Sequence, residues 1–342
     1  MNNLPLLQSM PISYNSLVIE NTTRCTAKCS ICYQSVGPNG ADEGGLLSLS
    51  SQTMEKVIED AIQMLNLQPR FHLGGGESFL NPEECIHLFQ VAKTAGYREI
   101  SAVTNAFWAK SKRKAKKLAH QFRHAGLLRI EISWDYWHAS YITPSAINNA
   151  IKACHNADIE ITLRVLSSKY HHAKEALSFL DSDICNLVDV IICSPLMHTG
   201  RAKKHIYQED IYSSDDLSVA CHHSLNLTIN PSGYVSPCCS GFDQTNTIIF
   251  GNIHDESIVT IANRMNRMLL LRMLVFQGIS SLLPILEDCG IDKKTNATSI
   301  CQLCWDIFSD KTSAFTIKEY FDKLDAVRIQ KYVDSISSEN TI

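Results

Sequence analysis

The sequence predicts an α/β fold: an open, partial (β/α)6 TIM-like barrel followed by a small C-terminal domain. Three observations predict it. Strand and helix patterns alternate from about residue 16 to residue 193, which implies right-handed crossovers and a parallel sheet. Six such units are present, two short of a closed eight-unit barrel. After about residue 205 the alternation gives way to a hairpin pattern, a long apolar helix and a second group of cysteines. Two domains are therefore expected, at residues 1–205 and 206–342.

Each element has its own signal. SLVIE (16–20) reads as a short buried strand. Apolar residues at 54, 57, 58, 61, 62 and 65 recur at helical steps, giving a helix over 51–66. RFHL (70–73) is a strand closed by three glycines, and Asn81-Pro82 opens a helix to about residue 94. EISAV (99–103), LLRIEIS (127–133), IEITLRV (159–165) and VDVIIC (188–193) are the remaining strands. The helices between them are expected around KSKRKAKKLAHQF, over 144–157 and over 171–180. Beyond them, LNLTI, a turn on Asn-Pro-Ser-Gly and YVSPCC form a hairpin. A helix over 258–276 and a last one over 315–333 complete the chain.

The chain has 342 residues, 45% of them hydrophobic, enough for one large domain and an appendage. Its net charge of −4 argues against a nucleic-acid partner, whose binding domain is usually basic. No basic and apolar leader opens the sequence, and no run of about 18 apolar residues occurs. Neither a signal peptide nor a membrane partner is expected. In such a chain 13 cysteines point to metal or redox chemistry rather than disulfides, and the expected location is cytoplasmic.

RCTAKCSICY places Cys25, Cys29 and Cys32 at the spacing C-x-x-x-C-x-x-C directly after the first strand. A structural zinc site normally closes with four ligands. A [4Fe–4S] cluster held by three thiolates keeps one iron open to another ligand. A zinc shared with a distant His, and mere coincidence, are the competing readings. This motif resembles the signature of the radical SAM superfamily. The resemblance implies that the open iron chelates S-adenosyl-L-methionine and that its reductive cleavage yields a 5′-deoxyadenosyl radical. Gly75-Gly76-Glu77 looks like the family's GGE turn, with glycine for close backbone approach and Glu77 accepting from the ligand's ammonium. Asn105, Ser133, Asp135 and Arg164 sit in or beyond the later strands, and by resemblance they hold the rest of SAM. Helix capping and loop contacts are the plain alternative for each. Ile31 stands where many members have an aromatic residue.

Cys221, Cys238, Cys301 and Cys304 form a second set around the hairpin. Four soft thiolates suit zinc or iron–sulfur. The arrangement resembles the shortened SPASM, or twitch, domain, which implies an auxiliary [4Fe–4S] cluster, two in all; a zinc ribbon is the alternative. Adjacent strand residues point to opposite faces, so Cys239 should face away from whatever Cys238 binds. Its plain reading is a small buried hydrophobe. The same reading covers Cys85, Cys154, Cys185 and Cys193, while Cys289 is a loop cysteine without a clear partner.

TNAFWAKSKRK, ISWDYWHASYI, GRAKKHIYQEDIY, SPCCS and SICQLCWDIF together resemble the radical SAM epipeptide epimerases, from about residue 15 to about 310. The resemblance implies L-to-D inversion at Cα in a ribosomally synthesised precursor peptide. Cys239 would return the hydrogen atom, and a flavodoxin or ferredoxin would supply electrons. Asn226 stands where the epimerase pattern is acidic. Radical cross-linking or dehydrogenation of a peptide, radical chemistry on a small molecule, and a non-enzymatic iron–sulfur or zinc scaffold are the alternatives. The basic run KSKRKAKK reads as a solvated helix face or a dock for an acidic peptide. His138 reads as a substrate or SAM contact or as a structural partner of Asp135. With the cluster motif starting at residue 25, substrate recognition is expected at the barrel mouth and the C-terminal segment.

Overall fold

The computed structural model describes residues 10–214, 216–221, 225–238, 249–293 and 297–339, with the backbone alone at 328, 329 and 331–339. β1 (Leu17–Glu20) is buried at every position. The cysteine loop follows it and carries a small hairpin, β2 (Val36–Gly37) with β3 (Gly40–Ala41). The β/α units then run α1 (Ser51–Ala61), β4 (Arg70–Gly74), α2 (Pro82–Ala95), β5 (Glu99–Thr104) and α3 (Lys112–Ala125). They continue through β6 (Arg129–Ser133), α4 (Pro144–His155), β7 (Glu160–Ser167), α5 (Ala173–Leu177) and β8 (Val190–Pro195).

The helices start and stop where local chemistry dictates. Ser50, Ser111 and Thr143 accept from the amides of Thr53, Lys114 and Ala146, satisfying first-turn donors. Pro82 and Pro144 occupy the first turn, where a missing amide costs nothing. Gly96 ends α2 at φ 108°, a left-handed cap that disfavours side chains. On α3 the apolar residues Leu118 and Phe122 face inward and the lysines face solvent.

β1, β4, β5, β6, β7 and β8 are parallel neighbours in that order. This is the six-stranded open barrel the alternation predicts. The C-terminal segment adds α6 (Ala202–His205), then β9 (Leu227–Ile229) and β10 (Val235–Ser236), paired antiparallel as the expected hairpin. β9 pairs in parallel with β1, Leu17 opposite Leu227, so the hairpin extends the barrel sheet to eight strands. α7 (Ile258–Met265), α8 (Leu269–Gln277), α9 (Leu283–Asp288), α10 (Ile300–Ser309) and α11 (Lys311–Glu339) follow.

Two expectations are corrected. The single helix over 258–276 is two, α7 and α8. The amides of Arg267 and Met268 bond three residues back, and Met268 turns extended at ψ 124°, which breaks the ladder. Cys193 is exposed, on the edge strand β8, rather than buried with Cys85 and Cys154, and Cys185 is half-buried.

One piece of the core bears directly on the site. Phe79, Phe89, Trp108 and Phe122 pack as an aromatic cluster, with Phe79–Phe122 and Trp108–Phe122 centroids 5.0 and 5.5 Å apart. Phe79 follows the glycine turn after β4, and Trp108 follows Thr104-Asn105 after β5. Burying such a ring contributes about 2–3 kcal/mol, so both turns are anchored from beneath.

Candidate active site

The C-terminal ends of β1 and β4 to β7 meet at one rim. There the cysteine loop is fixed by its own backbone: Cys25 N donates to Gly37 O at 2.9 Å, and Cys32 N to Cys29 O at 3.2 Å. Cys25 and Cys29 are buried and Cys32 is half-buried. The Ala27 amide donates to Cys25 Sγ at 3.4 Å. Burial, reinforced by the nearby Glu77 charge, pushes the Cys25 thiol up to about 12, so without a metal it stays protonated.

The glycine turn packs under this loop. Gly76 N donates to Thr22 O at 2.7 Å and Glu77 N to Arg24 O at 2.8 Å. A Cβ at Gly76 would lie 2.3 Å from the Arg24 carbonyl oxygen, so only glycine allows the approach. The Glu77 side chain then turns inward. It accepts from Thr104 Oγ1 at 2.8 Å, Asn105 N at 2.7 Å and Phe79 N at 3.2 Å. Burial pushes Glu77 up to about 7 against the pull of those three bonds. The sequence reading gives this carboxylate to a ligand ammonium; here the protein occupies both oxygens. It is Gly75 and Gly76 that face the cavity.

That cavity, about 1010 Å³, runs from the three cysteines across the barrel to the C-terminal segment. Asn105, Ser133, His138 and Arg164 line it. Asn105 Nδ2 donates to Thr26 Oγ1 at 3.1 Å and reaches Cys25 Sγ at 3.7 Å. Arg164 forks onto Glu131 at 3.1 and 2.9 Å, so it presents the cavity with a compensated ion pair. Asp135 does not line the cavity. Its Oδ1 accepts from Trp137 N, His138 N and His138 Nδ1 at 3.1, 3.0 and 2.8 Å. Burial disfavours a charge on His138, but Asp135 and then Cys29 outweigh it and hold the imidazole well above its usual range. Asp135 therefore fixes His138 beside Cys29.

The second set assembles on the far side. Cys301 and Cys304 lie one turn apart on α10, Cys221 precedes β9 and Cys238 follows β10. Burial pushes Cys221 up to about 11, and Cys301 and Cys238 add to the rise. Cys304 is raised the same way, with all three other thiols contributing. The four are thus neighbours. Cys301 and Asn226 line the same cavity as the first set, and Asn226 Oδ1 accepts from Ser16 Oγ at 2.8 Å. Cys239 lies outside the described residues.

Among the described residues no three His, Cys, Asp or Glu side chains converge tightly enough for a single metal ion. Three thiolates on one zinc at about 2.3 Å would crowd to within about 4 Å of each other. Both donor sets are all sulfur, which fits an iron–sulfur cluster, and the four-thiolate set fits a zinc ion by its chemistry as well.

Sequence reasoning missed three contributors. Thr26, inside the motif, holds Asn105. Glu131 alternates with apolar neighbours in RIEIS, which puts it on the face opposite Ile130 and Ile132, and that face lines the cavity. Arg201 is buried against the cysteine loop; it lies in GRAKKHIYQEDIY, one of the stretches that carry the resemblance, but that resemblance gives it no role of its own.

Residues 19–170 match the radical SAM superfamily and residues 221–305 the iron–sulfur cluster-binding SPASM domain. The chain is 25% identical over 320 residues to YydG of Bacillus subtilis (strain 168), a protein named for peptide biosynthesis. That alignment covers 91% of this chain and 97% of YydG. The solved structure of anSMEcpe with bound AdoMet superposes with a TM-score of 0.52 at 13% identity, over 89% of this chain and 94% of that one. HemN, the coproporphyrinogen III oxidase of Escherichia coli, gives 0.43 at 14% identity, over 61% of this chain and 51% of that one. The likeness to anSMEcpe reflects a shared fold, and the family matches add the cofactors, S-adenosylmethionine and iron–sulfur clusters. The chain carries a radical SAM domain over residues 19–170 and a SPASM-type iron–sulfur domain over residues 221–305, after its partial barrel.

Proposed function

We propose that this enzyme modifies a ribosomally made peptide by inverting Cα centres from L to D. The observation that carries the reading is one cavity of about 1010 Å³ faced both by the three-cysteine loop and by Asn226, Ser299 and Cys301 of the C-terminal domain. A cavity at the upper end of the small-ligand range admits a stretch of peptide. The likeness to YydG, named for peptide biosynthesis, supports a peptide substrate.

Cys25, Cys29 and Cys32 hold one [4Fe–4S] cluster in this reading, and Cys221, Cys238, Cys301 and Cys304 hold another. Gly75, Gly76, Asn105 and Ser133 face SAM, while Glu77 and Asp135 position the groups that do. When bound, the first cluster and SAM supply a one-electron, carbon-centred abstraction of a hydrogen atom. The chain's own part is to hold the peptide Cα and to return a hydrogen from the opposite side. In this reading that hydrogen comes from Cys239, the role that the resemblance to the epipeptide epimerases gives it. Its thiol gives up one hydrogen atom, and the sulfur left behind is restored by one electron from a flavodoxin- or ferredoxin-like donor and one proton.

The test is anaerobic incubation of the reconstituted enzyme with SAM, a reductant and synthetic candidate precursor peptides, followed by chiral analysis of the hydrolysed product. The expected product contains D-residues at unchanged mass. A product lighter by two hydrogens would replace inversion by cross-linking or dehydrogenation. Intact SAM in a fully iron-loaded enzyme would overturn the radical reading.

A further inference from the structure

The turn after β8 carries a cation that the chemistry above does not use. Arg201 is 3% exposed. Its Nη1 donates to Cys29 O at 2.8 Å, its Nη2 to Val36 O at 2.9 Å and its Nε to Asp42 Oδ2 at 2.9 Å. Its backbone amide donates to Cys32 O at 3.0 Å. Gly200, at φ +54°, lets the turn press into the loop, since a Cβ there would lie 2.1 Å from Tyr33 O. The other side of the turn is pinned to α10. His198 N donates to Gln302 Oε1 at 3.1 Å and Lys203 pairs with Asp306 at 2.7 Å.

We propose that Arg201 is a positioning residue that holds the three-cysteine loop in shape, and that its buried charge favours reduction of the iron–sulfur group those cysteines carry. The inference rests on the reading that Cys25, Cys29 and Cys32 hold a cluster. Taking up an electron adds negative charge to a poorly solvated group, so a buried cation nearby stabilises the reduced state. Asp42 counters the guanidinium and also pairs with Lys28 at 3.3 Å. Removing Arg201 and removing the charge of Asp42 should therefore have opposite effects.

Arg201→Met, Arg201→Lys and Asp42→Asn test this in the reconstituted holoenzyme. The readout is a redox titration followed on the paramagnetic signal that changes when SAM is added, which marks the first cluster. Arg201→Met is expected to disfavour reduction by about tenfold, 59 mV for one electron. Asp42→Asn is expected to shift the opposite way, and Arg201→Lys to lie nearer wild type than Arg201→Met. In the metal-free chain, Arg201→Met should also speed amide hydrogen exchange across residues 25–42. Shifts of the same sign, or none, would overturn the proposal. If Arg201→Met takes up no iron, the direction of the Asp42→Asn shift decides alone. A wild type that binds no iron at the three cysteines would instead sink the underlying cluster reading.

Discussion

Asn105 Nδ2 lies 3.7 Å from Cys25 Sγ, joining the end of β5 to the first cysteine of a loop eighty residues earlier. The same amide donates to Thr26 Oγ1, and its oxygen accepts from Phe107 N at 3.0 Å, so the side chain is locked before any ligand arrives. Donors aimed at a ligating sulfur tune and retain the metal group they surround.

Asn105→Leu should therefore weaken iron retention at the first site by about tenfold or more. Iron loss against a chelator, in a background lacking Cys301 and Cys304, measures it. Retention equal to the parent would show that Asn105 only packs.

Glu77 gives a pH dependence with a fixed sign. Its folded value is raised to about 7 by burial, above the unfolded carboxylate. Its contribution to stability is therefore complete below the unfolded value and is lost as pH rises through about 7. The slope from this one group is at most about 1.4 kcal/mol per pH unit. Urea unfolding of the metal-free chain between pH 5.5 and 8 should show the decline, and Glu77→Gln should flatten it. Because Gln replaces one accepting oxygen by a donor facing Thr104 or Asn105, that variant should also lose about 1–3 kcal/mol at pH 5.5. An unchanged slope would place the titration elsewhere.

The barrel was legible because its signals are local. Six apolar runs at strand length, separated by capped helices, predict six parallel strands, and the structure has them within a few residues. The cysteine sets were legible because soft ligands at fixed spacing are rare. What stayed hidden depends on distant partners. Glu77 reads as a ligand contact until Thr104 and Asn105 are seen to take its oxygens. Asp135 reads as a cofactor residue, yet it faces His138 rather than the cavity. Arg201 has no role of its own in the sequence reading, because its partners Cys29, Val36 and Asp42 lie about 160 to 170 residues away. The break at Met268 is also invisible to periodicity, since apolar residues continue on both sides of it.

Replacing Cys25, Cys29 and Cys32 together by Ala should abolish SAM cleavage and leave about four iron atoms per chain in the C-terminal domain. Iron analysis and a cleavage assay check both halves. Complete iron loss, or surviving cleavage, would mean the two sites are misassigned.

The reciprocal experiment addresses the second set. Wild-type enzyme should contain about eight iron atoms and no stoichiometric zinc, and Cys301→Ala with Cys304→Ala should remove about half the iron. One zinc per chain at Cys221, Cys238, Cys301 and Cys304 would make that domain a zinc site.

The most direct test of peptide inversion is the reaction in D2O, because the Cys239 thiol exchanges its hydrogen with solvent. The product should gain about one mass unit per inverted centre, with the deuterium on Cα. Cys239→Ala should still cleave SAM and should yield no D-residue. Deuterium-free product, a loss of two hydrogens, or D-residues made by Cys239→Ala would contradict the account.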